Sequence, residues 1–150
     1  MSELCLHRIE NHWKAKITGS NELFGKEKFQ EALMGYEEAL YRAEVLNNHP
    51  LECMQAGIPF IQIYIISCNN LANTYVELKQ PQKGENILKR VFHHLLHLAS
   101  KDYLNTDEVQ SELKRASLTL TDFIKKNGVH QKQPEDLFAP LKEQKSTRNY

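Results

Sequence analysis

At 150 residues the chain is long enough for one domain with a core of its own, and its 19 basic and 19 acidic residues cancel to no net charge. That balance gives no bulk attraction to nucleic acid or to an anionic membrane surface, and neither partner is expected. No apolar run approaches the length of a membrane span.

Leu, Lys and Glu are common, while Gly (6) and Pro (5) are scarce, which suits an all-helical protein better than a sheet protein. The start, Met1 to Arg8, lacks the apolar segment of a signal peptide. Cys5, Cys53 and Cys68 are widely spaced, with no C-x-x-C. They read as reduced, mostly buried thiols, and the expected location is cytoplasmic.

In chain order, the first expected helix runs from about Glu3 to about Lys26. Ile9, Trp13, Ile17 and Ser20 recur on one face, and the small Gly19 and Ser20 offer a place for close helix approach. Gly25-Lys26-Glu27-Lys28 reads as a turn. A second helix follows to about Leu46, with Phe29, Ala32, Leu33, Tyr36, Ala39, Leu40 and Ala43 as its apolar stripe. Small Ala32 and Ala39 alternate with large Tyr36 and Leu40, as closely packed helices require. Asn47-Asn48-His49-Pro50 stops it. Leu51 to Lys79 is helical again, with a break or kink at Gly57-Ile58-Pro59. Phe60 to Ile66 is apolar on nearly every side, which predicts burial all round or under a second subunit.

Residues 68–98 contain two helical patterns joined at Lys79-Gln80-Pro81-Gln82. Leu71, Ala72, Tyr75 and Leu78 form one stripe; Ile87, Leu88, Val91, Phe92, Leu95 and Leu98 form the other. Pro81 suits the first turn of the second helix, where a missing N–H costs nothing. So short a connection predicts an antiparallel hairpin. A last helix from Thr106 or Asp107, either able to cap it, reaches about Asn127 and ends at Gly128. The expected organisation is a helical domain over 1–128 and a polar, mobile tail over 129–150. Within that tail, the capped apolar cluster Pro134–Leu141 is suited to docking.

The two hairpins overlay. Ser20-Asn21 and Ala72-Asn73 are each followed three residues from the small residue by Leu23 or Tyr75; twelve residues on come Ala32 and Gly84, then Tyr36 and Leu88, then Ala39 and Val91. This pattern resembles the tetratricopeptide repeat, a helix-turn-helix unit of about 34 residues. The second copy, N-N-L-A-N-T-Y-V-E-L-K, is similar to repeats of the kinesin light chain type. The resemblance covers about Trp13 to Ala99. It implies an all-α stack of about five to six helices, with the last as a capping helix. This chain departs from the pattern in three ways. Lys16 and Cys68 stand where the family has Trp, and Gly19 replaces a Leu. The copies are offset by 52 residues, from Ser20 to Ala72, so about 18 residues are inserted relative to the family period.

Gln62, Ile66, Asn69, Asn73 and Glu77 fall at helical spacing on one face, opposite the Leu71/Tyr75 stripe, with Asn70 at its border. Asn is a mediocre helix former, so a strip of amides on an apolar helix points to a use beyond folding. Primary amides both donate and accept, and can bracket an extended peptide backbone; the alternative is that they simply face water. The resemblance implies a peptide groove and places Lys14, Asn21, Asn70 and Asn73 in it. Ile17 stands where the carboxylate clamp of chaperone-binding members needs a further Lys, and Lys114 and Arg115 echo the remaining basic pair only loosely. His93, His94 and His97 lack a Glu or Cys at ligand spacing, so a surface or subunit-contact role is expected over metal binding. No catalytic motif is present and no cofactor is expected. The expected function is an adaptor or co-chaperone that binds a protein or peptide segment. The alternatives are homo-oligomeric assembly through Phe60–Ile66 or Leu137–Leu141, and a regulator gated by a peptide or small molecule.

Overall fold

The computed structural model describes residues 1–128; the tail and its Pro134–Leu141 cluster lie outside them. The described residues form six α-helices: α1 (Glu3–Gly25), α2 (Phe29–Asn47), α3 (Pro50–Ala56), α4 (Phe60–Glu77), α5 (Pro81–Leu98) and α6 (Thr106–Asn127). The chain is all-α, as its composition and 3.6-residue patterning require. It divides into two compact units, Met1–Gly84 and the residues from Glu85 onward.

In the first unit α2 packs against both α1 and α4. Most of its expected stripe is buried: Ala32, Ala39 and Ala43 fully, with Tyr36 and Leu33 between them, while Phe29 and Leu40 are half-buried. The α1–α2 approach is close at Gly35, where an added Cβ would strike the Ser20 Oγ and stand 3.3 Å from the Ser20 Cβ. Ser20 is buried, as expected, but Gly19 is exposed, with open space where its Cβ would stand. One residue is about 100° of helix rotation, which carries Gly19 out of the contact. Lys16 joins Glu38 at 2.8 Å across the same pair and holds the Glu38 carboxyl below the usual carboxylate range. The Tyr36 hydroxyl donates to Asn21 Oδ1, and Phe24 meets Phe29 edge to face at 5.0 Å around the connecting turn.

Three helices of this unit end in one way. Lys28 N–H donates to Leu23 O and Glu27 N–H to Phe24 O. Ile58 to Cys53 with Gly57 to Met54 repeats that arrangement, as does Gln80 to Tyr75 with Lys79 to Val76. These are Schellman closures, which need a left-handed residue. Gly57 fills the place at φ 72°, but Glu27 and Lys79 adopt φ 61° and 64°. Their separation, 27 to 79, is the same 52 residues as the sequence repeat. The expected disturbance at Gly57–Pro59 is a full break: the chain bends by 108° between α3 and α4.

Burial of the 60–66 run is incomplete. Phe60, Ile61, Ile63 and Tyr64 are buried, yet Ile66 is 41% exposed, because it falls on the polar face of α4. In the second unit α5 buries Ile87, Leu88, Val91, Leu95 and Leu98, and α6 buries Val109, Leu120, Phe123 and Ile124. The cap of α6 is Asn105, one residue before the expected Thr106. Asn105 is still extended at ψ 109°, so its Oδ1 can accept from Glu108 N–H at 3.0 Å. Gly128 ends the helix at φ 57°.

Two stability predictions follow from this geometry. Replacing Glu27 or Lys79 with Gly relieves a left-handed side-chain clash, and each change should raise stability by about 0.5–1 kcal/mol in urea denaturation. Gly35→Ala overpacks the α1–α2 contact, and part of that cost is offset by better helix propensity; a net loss of about 1 kcal/mol is expected. In a Ser20→Ala background, where the Oγ is gone, Gly35→Ala should cost much less. An undiminished cost in that cycle would place the clash elsewhere.

Candidate functional site

The site is built on α4, whose inner side is fixed by burial and hydroxyl bonds. Leu71, Ala72 and Cys68 are buried along it. Ser67 Oγ donates to Ile63 O at 2.7 Å and accepts from the Trp13 indole of α1 at 2.7 Å, so one buried hydroxyl ties α1 to α4. Thr74 Oγ1 donates to Asn70 O at 2.7 Å two helical turns further on. These back-bonds satisfy hydroxyls that would otherwise be buried without partners. Neither Ser67 nor Thr74 stands out in the sequence as a site residue. Their spacing of seven on the inward side of an amide-bearing helix is the available signal.

With that side inward, the amide strip faces out. Asn73 and Glu77 are exposed, Gln62, Asn69 and Asn70 are half-buried, and Ile66 lies exposed among them. The expected strip is therefore continuous along α4, from Gln62 near its start to Glu77 at its end. Asn70, three residues beyond Ser67, lies on the α1 side of it.

Lys14 and Asn21, assigned to the groove through the family resemblance, are on α1. Lys14 is exposed next to Trp13, with its Nζ 3.9 Å from the buried Glu10 carboxylate, which also meets His7 Nδ1 at 3.2 Å. Asn21 is exposed, but its carbonyl oxygen takes the Tyr36 hydroxyl. Its amide thus serves the α1–α2 contact. The α4 residues form one strip; Lys14 and Asn21 stand on a different helix, and Asn21 is turned to α2.

At the end of α4 the half-buried Tyr75 has its phenol pushed up by burial and then by the Glu37 carboxylate, and the Lys83 ammonium stands 5.8 Å from its ring centroid. The strip itself carries amides, one carboxylate and one isoleucine. It can donate and accept hydrogen bonds and cover a small apolar side chain.

Among the described residues no three His, Cys, Asp or Glu side chains converge on a metal position. The three cysteines are free. Burial, then the Glu52 and Glu10 carboxylates, push the Cys53 thiol up to about 11, so it stays protonated and unreactive at neutral pH. His93 and His94 are half-buried rather than surface groups, and only His97 is exposed. Burial, then His97, hold His94 below its ordinary value of 6.5.

The chain belongs to the family described as "Protein of unknown function (DUF2753)", whose model matches residues 11–137. No curated protein and no solved structure matches the chain. No single described helix is long and apolar enough to cross a membrane.

The lowered His94 pKa predicts a pH dependence. The unfolded chain takes up this proton near pH 6.5, before the folded chain does. The stability linked to neutral His94 is therefore complete above that pH and is lost as the pH falls below it. His94→Gln should flatten the decline in denaturation midpoint between about pH 7.5 and pH 5 relative to wild type. Parallel declines in the two proteins would exclude His94 as the source.

Proposed function

We propose that the chain is an interaction module of the tetratricopeptide-repeat type that holds an extended peptide segment along the outer face of α4. The observation that carries this reading is the strip itself. Asn69, Asn70 and Asn73 occupy helix positions where they add little to helix stability, and they share an open face with Ile66 and Glu77. Amides at that spacing offer paired donors and acceptors to a peptide backbone, and Ile66 offers contact to a side chain.

Two further features support the repeat reading. The small positions of both copies, Ser20, Ala32, Ala72 and Gly84, are all buried. The first helices of both copies, α1 and α4, end in the same Schellman closure at the same 52-residue offset. In this reading α3 and the break at Gly57 are part of the inserted residues, Lys14 borders the groove, and the chain acts as an adaptor.

The test uses an array of unbiased synthetic peptides probed with the full chain. Wild type should retain a discrete subset. The double variant Asn69→Ala, Asn73→Ala should bind that subset at least about tenfold more weakly, since each lost hydrogen bond is worth about 1 kcal/mol. Its helical circular dichroism should be unchanged, because both side chains point away from the core. An array with no retained peptide, or equal retention by the double variant, overturns the reading.

A further inference from the structure

The strip of α4 has a direction. Asn73 and Glu77 stand seven and eleven residues beyond Ile66, and both return to within about 20° of it around the helix, so the three lie nearly on one line. Asn69 and Asn70 stand on opposite sides of that line, about 60° and 40° away. Ile66 is the apolar group, towards the start of the strip. Glu77 is its carboxylate and the last residue of α4, where the helix dipole also presents its negative end.

The polar groups of this line are unengaged. Among the described residues, the side-chain amides of Asn69, Asn70 and Asn73 and the carboxylate of Glu77 make no hydrogen bond or ion pair within the chain. The nearby charges are occupied or turned away. Lys83 and Glu37 act at Tyr75, which is two residues before Glu77 and so on the opposite side of α4. Lys79, held left-handed in the turn that closes the helix, forms no ion pair with Glu77.

No cation stands on the strip. A peptide carboxylate laid along it would find amides and one glutamate, and Glu77 would repel it. A peptide cation at that end finds a free carboxylate. The distance between the two ends sets a spacing. Ile66 and Glu77 are separated by about 16 Å along the helix axis, at about 1.5 Å per residue. An extended peptide advances about 3.3 Å per residue and covers that distance in about five residues.

Resting on the peptide reading of this strip, we propose that the segment it selects places an aliphatic side chain on Ile66 and a Lys or Arg on Glu77, about five residues apart, with no acidic side chain facing the amides between them.

The experiment probes the full chain with an array of designed peptides that share one Leu in a background of Ala, Ser and Gly. Lys, Gln or Glu occupies each other position in turn, on both sides of the Leu. Retention should be strongest with Lys about five residues from the Leu. At that place Lys should exceed Gln by about threefold, the size expected of one exposed ion pair, and Glu should be weakest. In Glu77→Gln the Lys peptides should fall to the level of the Gln peptides. In Ile66→Ala, replacing the peptide's Leu with Ala should no longer matter. Circular dichroism should be unchanged in both variants, because both positions are exposed.

Equal retention of Lys, Gln and Glu peptides, a Lys optimum beside the Leu or at twice the expected spacing, or a Lys preference that survives Glu77→Gln overturns this selection. The peptide reading of α4 then still stands if Asn69→Ala with Asn73→Ala weakens every retained peptide. Retention that ignores the Asn pair, or no retention of any peptide, overturns both.

Discussion

The closeness of α2 to its neighbours governs the first unit. A helix that packs against α1 and α4 together must be narrow on its inner side, and α2 achieves this by setting Ala32, Ala39 and Ala43 among the larger Leu33, Tyr36 and Leu46. Gly35 carries the constraint furthest, since a single methyl there would strike Ser20. Close backbones leave little room for error, and the pair is locked by contacts at its margin. Lys16–Glu38 and Tyr36–Asn21 fix the rotation of α2 against α1, and the Phe24–Phe29 contact fixes the turn.

The placement of α4 depends on a polar tie. An indole N–H buried without an acceptor costs about 1–3 kcal/mol, so the Ser67 hydroxyl is the natural partner of Trp13 in the α1–α4 contact. Ser67 can accept that bond because its own proton goes to Ile63 O. The pair sets which side of α4 turns inward, and Asn69, Asn73 and Glu77 lie away from that side by helix geometry alone. The proposed binding strip is thus a consequence of how the core is closed. A change in the tie would rotate the strip as well as loosen the stack.

Periodicity made much of this legible. The stripes of α2, α4 and α5 were readable because apolar residues recur every three or four positions and little else competes for a core in a chain so poor in Gly and Pro. The break after Ala56 was readable from Gly57 and Pro59. Contacts that depend on the rotation of one helix against another were less so. Gly19 and Ser20 look equally suited to close approach, and only the packed pair shows that Ser20 faces Gly35 while Gly19 faces out. The shared face of Gln62, Asn69, Asn73 and Glu77 follows from spacing on one helix. The engagement of Asn21 by Tyr36 spans two helices and left no trace in either local pattern.

Overall neutrality also conceals more than it excludes. Equal numbers of acids and bases remove any long-range pull toward a polyanion, but at 0.15 M salt fields act over only about 8 Å, so a partner responds to the charges of one face. The α4 strip holds amides and one carboxylate. Under the peptide reading proposed for it, recognition rests on hydrogen-bond geometry, which salt screens far less than an exposed ion pair, so a ligand of that strip should keep most of its affinity as ionic strength rises.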